Sequence, residues 1–169
     1  KMGRTALMMA IQKSHSEVAL RLISDGAAVA LKDYKGQTAL HHAAVANSPA
    51  ELIAALVASG VDVHSQDCTG RSPLFGATRS TTLALIGHGA DPHLRDMTGQ
   101  TPLHEACERA SLEVVGALLE SGAKVNARDK RSNTPLDLVN RISDSKRKGA
   151  KRAVEELLKH QGAKKGVAS

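Results

Sequence analysis

Histidine and cysteine are the residue types in this chain with the widest chemical scope, because they serve as acids, bases, nucleophiles and metal ligands. The sequence has eight histidines and two cysteines. Cys68 and Cys107 are separated by 38 residues, whereas structural zinc sites use closely spaced cysteine pairs. A glycine-rich phosphate loop and the Gly-x-Ser-x-Gly and His-Glu-x-x-His patterns are also missing from the sequence. We therefore expect no catalytic site, no metal site and no cofactor.

The amino-acid composition indicates which secondary structure would carry a binding site. Only 1% of the 169 residues are aromatic, namely Tyr34 and Phe75, whereas 41% are hydrophobic. A core of Leu, Ala, Val and Ile suits closely spaced helices better than a β-sandwich, so we expect a mostly helical fold. No apolar run is long enough to cross a bilayer, which takes about 20 residues. The cysteine pattern favours reduced thiols and an intracellular protein, cytoplasmic or nuclear.

A repeated pattern organises the chain. Four segments align residue for residue, 33–41, 67–75, 96–104 and 129–137, and their leading aspartates are 34, 29 and 33 residues apart. In each unit the Asp begins a tight turn, and a Thr or Ser then caps a first helix. A second helix follows and ends at a glycine such as Gly122. Capping boxes at Ser14 to Glu17 and Ser48 to Glu51 are expected to start two of these second helices.

One copy of the pattern is specific enough to indicate a family. Residues 101–106 read Thr-Pro-Leu-His-Glu-Ala and fit the Thr-Pro-Leu-His-x-Ala motif of ankyrin repeats in full, while residues 38–43 depart from it once. The chain therefore resembles the ankyrin repeat family. The resemblance implies an all-α repeat solenoid of helix-turn-helix units with β-hairpin fingers. It covers five units in one continuous domain, 1–32 (without its leading turn), 33–66, 67–95, 96–128 and 129–163, followed by a tail, 164–169. Because the sequence begins inside the pattern, we expect a monomeric fragment of a longer chain.

Two units depart from the common length. From the capping residue to the closing glycine, units one, two and four measure 21, 22 and 21 residues, whereas unit three measures 17 and unit five measures 28. We expect the deletion to shorten the helix pair of unit three and leave a notch, since it removes about one helical turn. The insertion at 141–151 is expected to form a longer helix and loop or a flexible excursion. Ordinary variation in repeat length is the alternative for both. Unit one is expected to have an uncovered edge formed by Leu7, Ile11 and Leu20.

The repeat also assigns roles to individual histidines and cysteines. His41 and His104 occupy the same motif position, and we expect each to hydrogen-bond to a turn backbone and hold adjacent units together. His42 follows on the same helix and is expected to face solvent. Cys68 is expected on a finger tip and Cys107 on an inner helix, with no neighbouring charge that would activate either thiol.

The finger surface is the candidate site that remains. In the family that the chain resembles, partners usually bind the finger tips and the exposed side of the first helices. Residues around the turn aspartates are rich in cations, which offer Arg forks and Lys charges to carboxylates or phosphates. Tyr34 and Met97 are the expected apolar anchors. Together with cations at the ends of the first helices, these residues form the predicted partner-binding set: Lys32, Tyr34, Lys35, Arg71, Arg79, Arg95, Met97, Arg109, Arg128, Lys130 and Arg131.

We predict a non-catalytic scaffold or adaptor that docks an acidic or phosphorylated segment of a protein partner. A solvated surface of no particular charge preference is the simplest alternative. The segment from Arg141 to the end carries nine basic and three acidic residues, while residues 1–140 are neutral overall. A second alternative is therefore that this segment contacts nucleic acid or an anionic membrane. The lack of an aromatic stacking platform argues against nucleic acid. A regulatory or substrate-targeting arm of a larger enzyme is the third alternative.

Overall fold

The computed structural model describes residues 3–143 and 147–166. The chain divides into two compact parts, Lys1–Asp91 and Pro92–Ser169, which we call the N-terminal half and the C-terminal half. Helices are the only regular secondary structure within the described ranges. The N-terminal half contains α1 (Ala6–Gln12), α2 (Ser16–Ser24), α3 (Ala39–Val45), α4 (Ala50–Ala58) and α5 (Arg79–Gly87). The C-terminal half contains α6 (Pro102–Glu108), α7 (Leu112–Glu120), α8 (Pro135–Asn140) and α9 (Lys148–His160).

Units one, two, four and five each contain a pair of helices. Every first helix begins directly after a threonine with extended backbone, at Thr5, Thr38, Thr101 and Thr134. Each first helix packs against its own second helix, and α1 and α6 also pack against α3 and α8, the first helices of the following units. The predicted all-α repeat fold is confirmed.

The capping boxes lie at different helices from those predicted. Ser14 cannot cap α2, because its φ of 58° puts it in the left-handed region, where it terminates the first helix of unit one. Ser48 does not cap α4 either, since Pro49 directly precedes that helix and the Ser48 N–H donates to the carbonyl of Ala43 (3.1 Å) in α3. The left-handed residue after α3 is Asn47, with a φ of 52°. The reciprocal boxes instead open α3, α5, α6 and α8, for example between Thr101 and His104 in α6. Hence the Ser-x-x-Glu pattern here marks the end of one helix rather than the start of the next.

Unit three lacks a first helix. Residues 73–76 form only a turn, and the next helix is α5, which begins after Thr78 and corresponds to the second helix of the other units. The deletion leaves too few residues for a further helical turn, and Gly76 with its φ of 76° ends the turn at once. The expected short helix pair was therefore wrong. Arg79 was also misplaced, because it is the first residue of α5 and not the end of a first helix.

Unit five shows the expected lengthening. Its second helix, α9, has 13 residues, compared with nine in α2, α4 and α7. Of the predicted excursion at 141–151, residues 144–146 lie outside the described residues. Lys151 ties α9 to the preceding helix, because its Nζ donates to the carbonyls of Asn140 (2.9 Å) and Ile142 (3.0 Å) near the end of α8.

The apolar core of each half is built from small aliphatic side chains, as the composition indicated. In the N-terminal half Leu7 and Ile11 are fully buried, and Leu20 packs against the same cluster. The prediction that they form an uncovered edge was wrong, since all three belong to the packed core of this half. Met9 and Val18, each 52% exposed, and Leu31, 51% exposed, are the large apolar side chains that the described part of unit one exposes.

Candidate functional site

Four fingers carry most of the predicted site: finger two (33–37) and finger three (67–71) in the N-terminal half, and finger four (96–100) and finger five (129–133) in the C-terminal half. In finger two, Asp33 Oδ1 accepts the N–H groups of Lys35 (2.9 Å) and Gln37 (3.0 Å), and the Asp33 N–H donates to the Gln37 carbonyl (2.9 Å). Asp67, Asp96 and Asp129 repeat this arrangement. The fingers are closed turns and not the expected strand pairs, because each has only two internal backbone bonds, both involving its aspartate, and these form no ladder.

The carboxylates of Asp33, Asp67 and Asp129 are held in their charged form by a lowered pKa. Burial alone would raise the pKa of Asp33, but hydrogen bonds from Gln37, Lys35 and His42 hold that pKa below its ordinary value. The same balance lowers the pKa of Asp129, where Asn133 is the largest hydrogen-bonding contributor. Each finger therefore uses its acidic group internally.

Adjacent fingers within a half are joined backbone to backbone. The Cys68 N–H donates to the Lys35 carbonyl (2.9 Å), and the Lys130 N–H donates to the Thr98 carbonyl (3.0 Å). Glycine is required at the tip, because a Cβ on Gly36 or Gly99 would lie 2.9 Å from the backbone N of the next finger. Both glycines also have positive φ, 74° and 81°.

The motif histidines join each first helix to the next finger, as predicted. His104 Nδ1 lies 3.2 Å from the Thr101 backbone N, which is a donor, so Nδ1 is the acceptor. Its Nε2–H therefore donates to the Asn133 carbonyl at 3.1 Å. His41 makes the same bonds, to Thr38 and to the Arg71 carbonyl at 2.9 Å. Burial lowers the pKa of both imidazoles, which fits the neutral form that this geometry needs.

His42 does not face solvent as expected. Its side chain is buried, and Nε2 lies 3.2 Å from Asp33 Oδ2. The backbone N–H groups of the finger bond only to Oδ1 of Asp33. The second carboxylate oxygen, Oδ2, is therefore available to accept from His42 on α3. Burial lowers the pKa of His42, and the bond to Asp33 opposes that shift only in part.

Three of the predicted partner-binding cations brace the fingers. Lys32 Nζ donates to the Gln66 carbonyl at 3.0 Å. Arg95 Nη1 donates to the carbonyls of Gly99 (2.7 Å) and Arg128 (2.6 Å). The guanidinium of Arg71 lies over the ring of Phe75, 5.6 Å from its centroid. Sequence reasoning missed these structural roles, because a basic residue before a turn gives no sign of the carbonyl that it reaches.

The rest of the predicted set is exposed. Tyr34 of finger two is 78% exposed, and Met97 of finger four is 63% exposed. In the N-terminal half, the exposed residues Tyr34 and Lys35 are neighbours on finger two. In the C-terminal half the exposed cations lie before and within finger five: Arg128, Lys130 and Arg131. Arg79 at the start of α5 and Arg109 at the end of α6 are exposed as well, but each lies on a helix terminus and not on a finger.

Comparison with known families agrees with this geometry. A model of ankyrin repeats matches the chain in three copies, over residues 1–67, 44–129 and 77–168. The chain belongs to the ankyrin repeat family. Ankyrin repeats are in general protein-interaction modules and are typically non-catalytic. No curated protein gave a significant match to the chain.

Metal and thiol chemistry find no support in this ankyrin repeat chain. The described part of the chain contains no group of three or more His, Cys, Asp or Glu side chains placed to hold a metal ion. Cys68 is exposed on finger three, and Cys107 is buried on α6. Burial raises the pKa of the Cys107 thiol far above its ordinary value, so that thiol stays protonated and unreactive. None of the described helices is long and apolar enough to cross a membrane.

Several of the C-terminal cations of this ankyrin repeat chain have carboxylate partners. On α9, Arg152 Nε lies 2.9 Å from Glu156, and Lys159 Nζ lies 3.9 Å from Glu155. Lys151 approaches Glu155 as well, at 4.0 Å. The helix therefore presents less free positive charge than its sequence indicates.

Proposed function

We propose that this ankyrin repeat chain is a non-catalytic adaptor that docks an acidic or phosphorylated segment of a protein partner on its finger surface. Both cysteines are free thiols, which suits a reducing compartment, so we assign the adaptor to the cytoplasm or nucleus. The proposal applies to each half separately, since each half has its own pair of fingers.

The observation that carries the proposal is the division of charge within a finger. The aspartates accept the N–H groups of their own turn, whereas Lys35, Lys130 and Arg131 extend into solvent. Fingers two and five therefore present cations to a partner and hide their anions. Guanidinium forks pair well with carboxylates and phosphates. Tyr34 and Met97 add exposed apolar area beside these cations, as interface anchors do.

Pull-down from cell lysate at physiological salt tests the proposal. One bait is the unmodified chain, and a second carries Lys35→Glu, Lys130→Glu and Arg131→Glu. A third bait carries Arg21→Glu and Lys159→Glu, which reverse exposed cations on second helices, away from the fingers. We expect proteins that the first and third baits retain and the second loses, and we expect their capture to weaken at higher salt.

A phosphatase-treated lysate separates the two kinds of acidic segment. Phosphorylated partners should disappear from the retained set after treatment, whereas carboxylate-rich partners should remain. If all three baits retain the same proteins, the finger surface is not the docking site. Retention of nucleic acid in place of protein would likewise contradict the proposal.

A further inference from the structure

A short segment after α9 runs back across finger five and is fixed there by side chains. Asn126 makes two bonds to it, since its Nδ2 donates to the Gly162 carbonyl (3.0 Å) and its Oδ1 accepts the Lys164 N–H (2.6 Å). Asp137 Oδ2 accepts the Gly166 N–H at 2.7 Å. The Thr134 hydroxyl lies 2.9 Å from the Lys164 carbonyl. We call residues 162–166 the clasp.

Asp137 explains why the clasp lies at this place. It stands at the motif position that His41 and His104 occupy in units two and four. Those histidines donate to a carbonyl of the following finger. The clasp instead presents the Gly166 N–H, which needs an acceptor, and the Asp137 carboxylate supplies it. Burial alone would raise the pKa of Asp137, but bonds from Thr134 and Gly166 keep it below its ordinary value.

The clasp brings two lysines to the base of finger five. The Lys164 carbonyl accepts the Thr134 hydroxyl. Gly166 lies so close to the Ser132 carbonyl that a Cβ there would overlap it, and Lys165 lies between these two contacts. A third chain segment reaches the same place, because Arg141 Nη2 at the end of α8 donates to Asn133 Oδ1 at 2.6 Å. The finger, the end of α8 and the clasp thus bring five exposed cationic residues to the neighbourhood of Ser132 and Asn133: Lys130, Arg131, Arg141, Lys164 and Lys165.

The two nearby carboxylates do not neutralise this cluster fully. Asp129 accepts two backbone N–H groups of its own finger and the Asn133 amide. Asp137 accepts from the Thr134 and Gly166 N–H groups, and Arg141 is only a minor contributor to its lowered pKa. Five exposed cationic residues therefore lie on neighbouring stretches of backbone, beside two acids that are already engaged.

We propose that this finger–clasp cluster is the binding site for a phosphoserine- or phosphothreonine-bearing segment of the partner. The inference rests on the proposed function and narrows it to one place and one chemistry. A phosphate carries close to two negative charges and three acceptor oxygens, which can pair with several convergent cations, whereas one carboxylate cannot. The C-terminal half contains no aromatic residue to stack a base, so a phosphopeptide fits better than nucleic acid.

Fluorescence anisotropy with defined probes tests the inference on the full chain. The first probe is a ten-residue Gly/Ser peptide carrying two phosphoserines, and the second is the same peptide without phosphate. The third replaces each phosphoserine by Glu, and the fourth is a ten-nucleotide oligothymidine. We expect the phosphorylated peptide to bind most tightly of the four at physiological salt.

Variants then locate the site. Lys164→Ala and Lys165→Ala should each weaken binding of the phosphorylated peptide about two- to fivefold, the range expected for an exposed ion pair. Asn126→Ala removes no cation but releases the clasp, and we expect it to weaken binding in the same way. Lys148→Ala, an exposed cation at the start of α9, is the matched control and should leave binding unchanged. Circular dichroism checks that each variant is folded.

The outcomes separate the inference from the function that it rests on. If Lys130→Ala and Arg131→Ala weaken binding but the two clasp lysines and Asn126→Ala do not, the fingers bind the partner and the clasp plays no part. If none of these variants weakens binding, both proposals are wrong for this half. Tighter binding of the oligothymidine than of the phosphopeptide would overturn the assignment to a phosphoprotein.

Discussion

Arg95 Nη1 lies 2.6 Å from the carbonyl oxygen of Arg128, so the side chain that precedes finger four is bonded to the backbone that precedes finger five. Lys32 makes the equivalent bond to the Gln66 carbonyl in the N-terminal half. Lys32 and Arg95 therefore stabilise the repeat, as does Arg71 within finger three. Lys35, Lys130 and Arg131 within the fingers remain exposed to a partner, as does Arg128 before finger five.

Substitution of Arg95 tests this distinction. Arg95→Ala removes two hydrogen bonds from a charged donor, and we expect it to lower the free energy of unfolding by about 1–3 kcal/mol. Arg128→Ala keeps the accepting carbonyl and removes an exposed side chain, so it should change that free energy by less than about 0.5 kcal/mol. Urea unfolding measures both, and equal losses for the two variants would contradict the bracing role.

The tip glycine of finger four offers a second test. Gly99→Ala puts a Cβ 2.9 Å from the Lys130 backbone N at a φ of 81°, so we expect a loss of about 1–3 kcal/mol. Gly116→Ala is the matched control in the same half, because it lies within α7 and its Cβ would meet nothing within 4 Å. This control should stabilise the chain by about 0.5–1 kcal/mol through helix propensity. Thermal melts that rank the two variants in the opposite order would refute the close finger contact.

The motif histidines predict acid sensitivity at mild pH. Burial lowers the pKa of His104 in the folded chain below its unfolded value of about 6.5. The unfolded chain therefore binds the proton first, and stability is present above about pH 6.5 and lost as the pH falls. His41 and His42 shift in the same direction and add to the effect.

Unfolding in urea between pH 7 and 5.5 measures this loss. His104→Gln should be less stable at pH 7, because the bond to the Asn133 carbonyl is weakened, but its stability should depend less on pH across this window. Asp33, Asp67 and Asp129 contribute to the pH dependence mainly below about pH 4, since burial and turn hydrogen bonds together lower their pKa values, and so they do not interfere. A slope that His104→Gln leaves unchanged would show that this imidazole is not neutral in the folded chain.

Core packing in unit four gives the fourth prediction. Leu103 is fully buried on α6, so Leu103→Ala should lower the free energy of unfolding by roughly 2–5 kcal/mol. Leu112→Ala is the control, because this side chain on α7 is 41% exposed, and its loss should be much smaller. Urea unfolding compares the two. Similar losses would mean that the register of α6 is wrong.

The sequence predicted those features that depend on local residue patterns. The finger turns, the threonine caps and the bonds of His41 and His104 follow from residue types at fixed spacing within one repeat. It did not predict the loss of the first helix in unit three, since a deletion does not indicate whether one helix or both will shorten. The roles of Arg95, His42 and Asp137 also depend on partners between nine and 33 residues away, and their identity follows only from packing.

The contrast between the two thiols makes the unmodified chain suitable for single-site labelling. Cys68 is exposed on finger three, whereas Cys107 is buried with a raised pKa. A maleimide dye should therefore attach at Cys68 alone. Because the Cys68 N–H is bonded to Lys35 of finger two, such a dye would lie directly beside the exposed cation and ring of that finger and report occupancy there without any substitution.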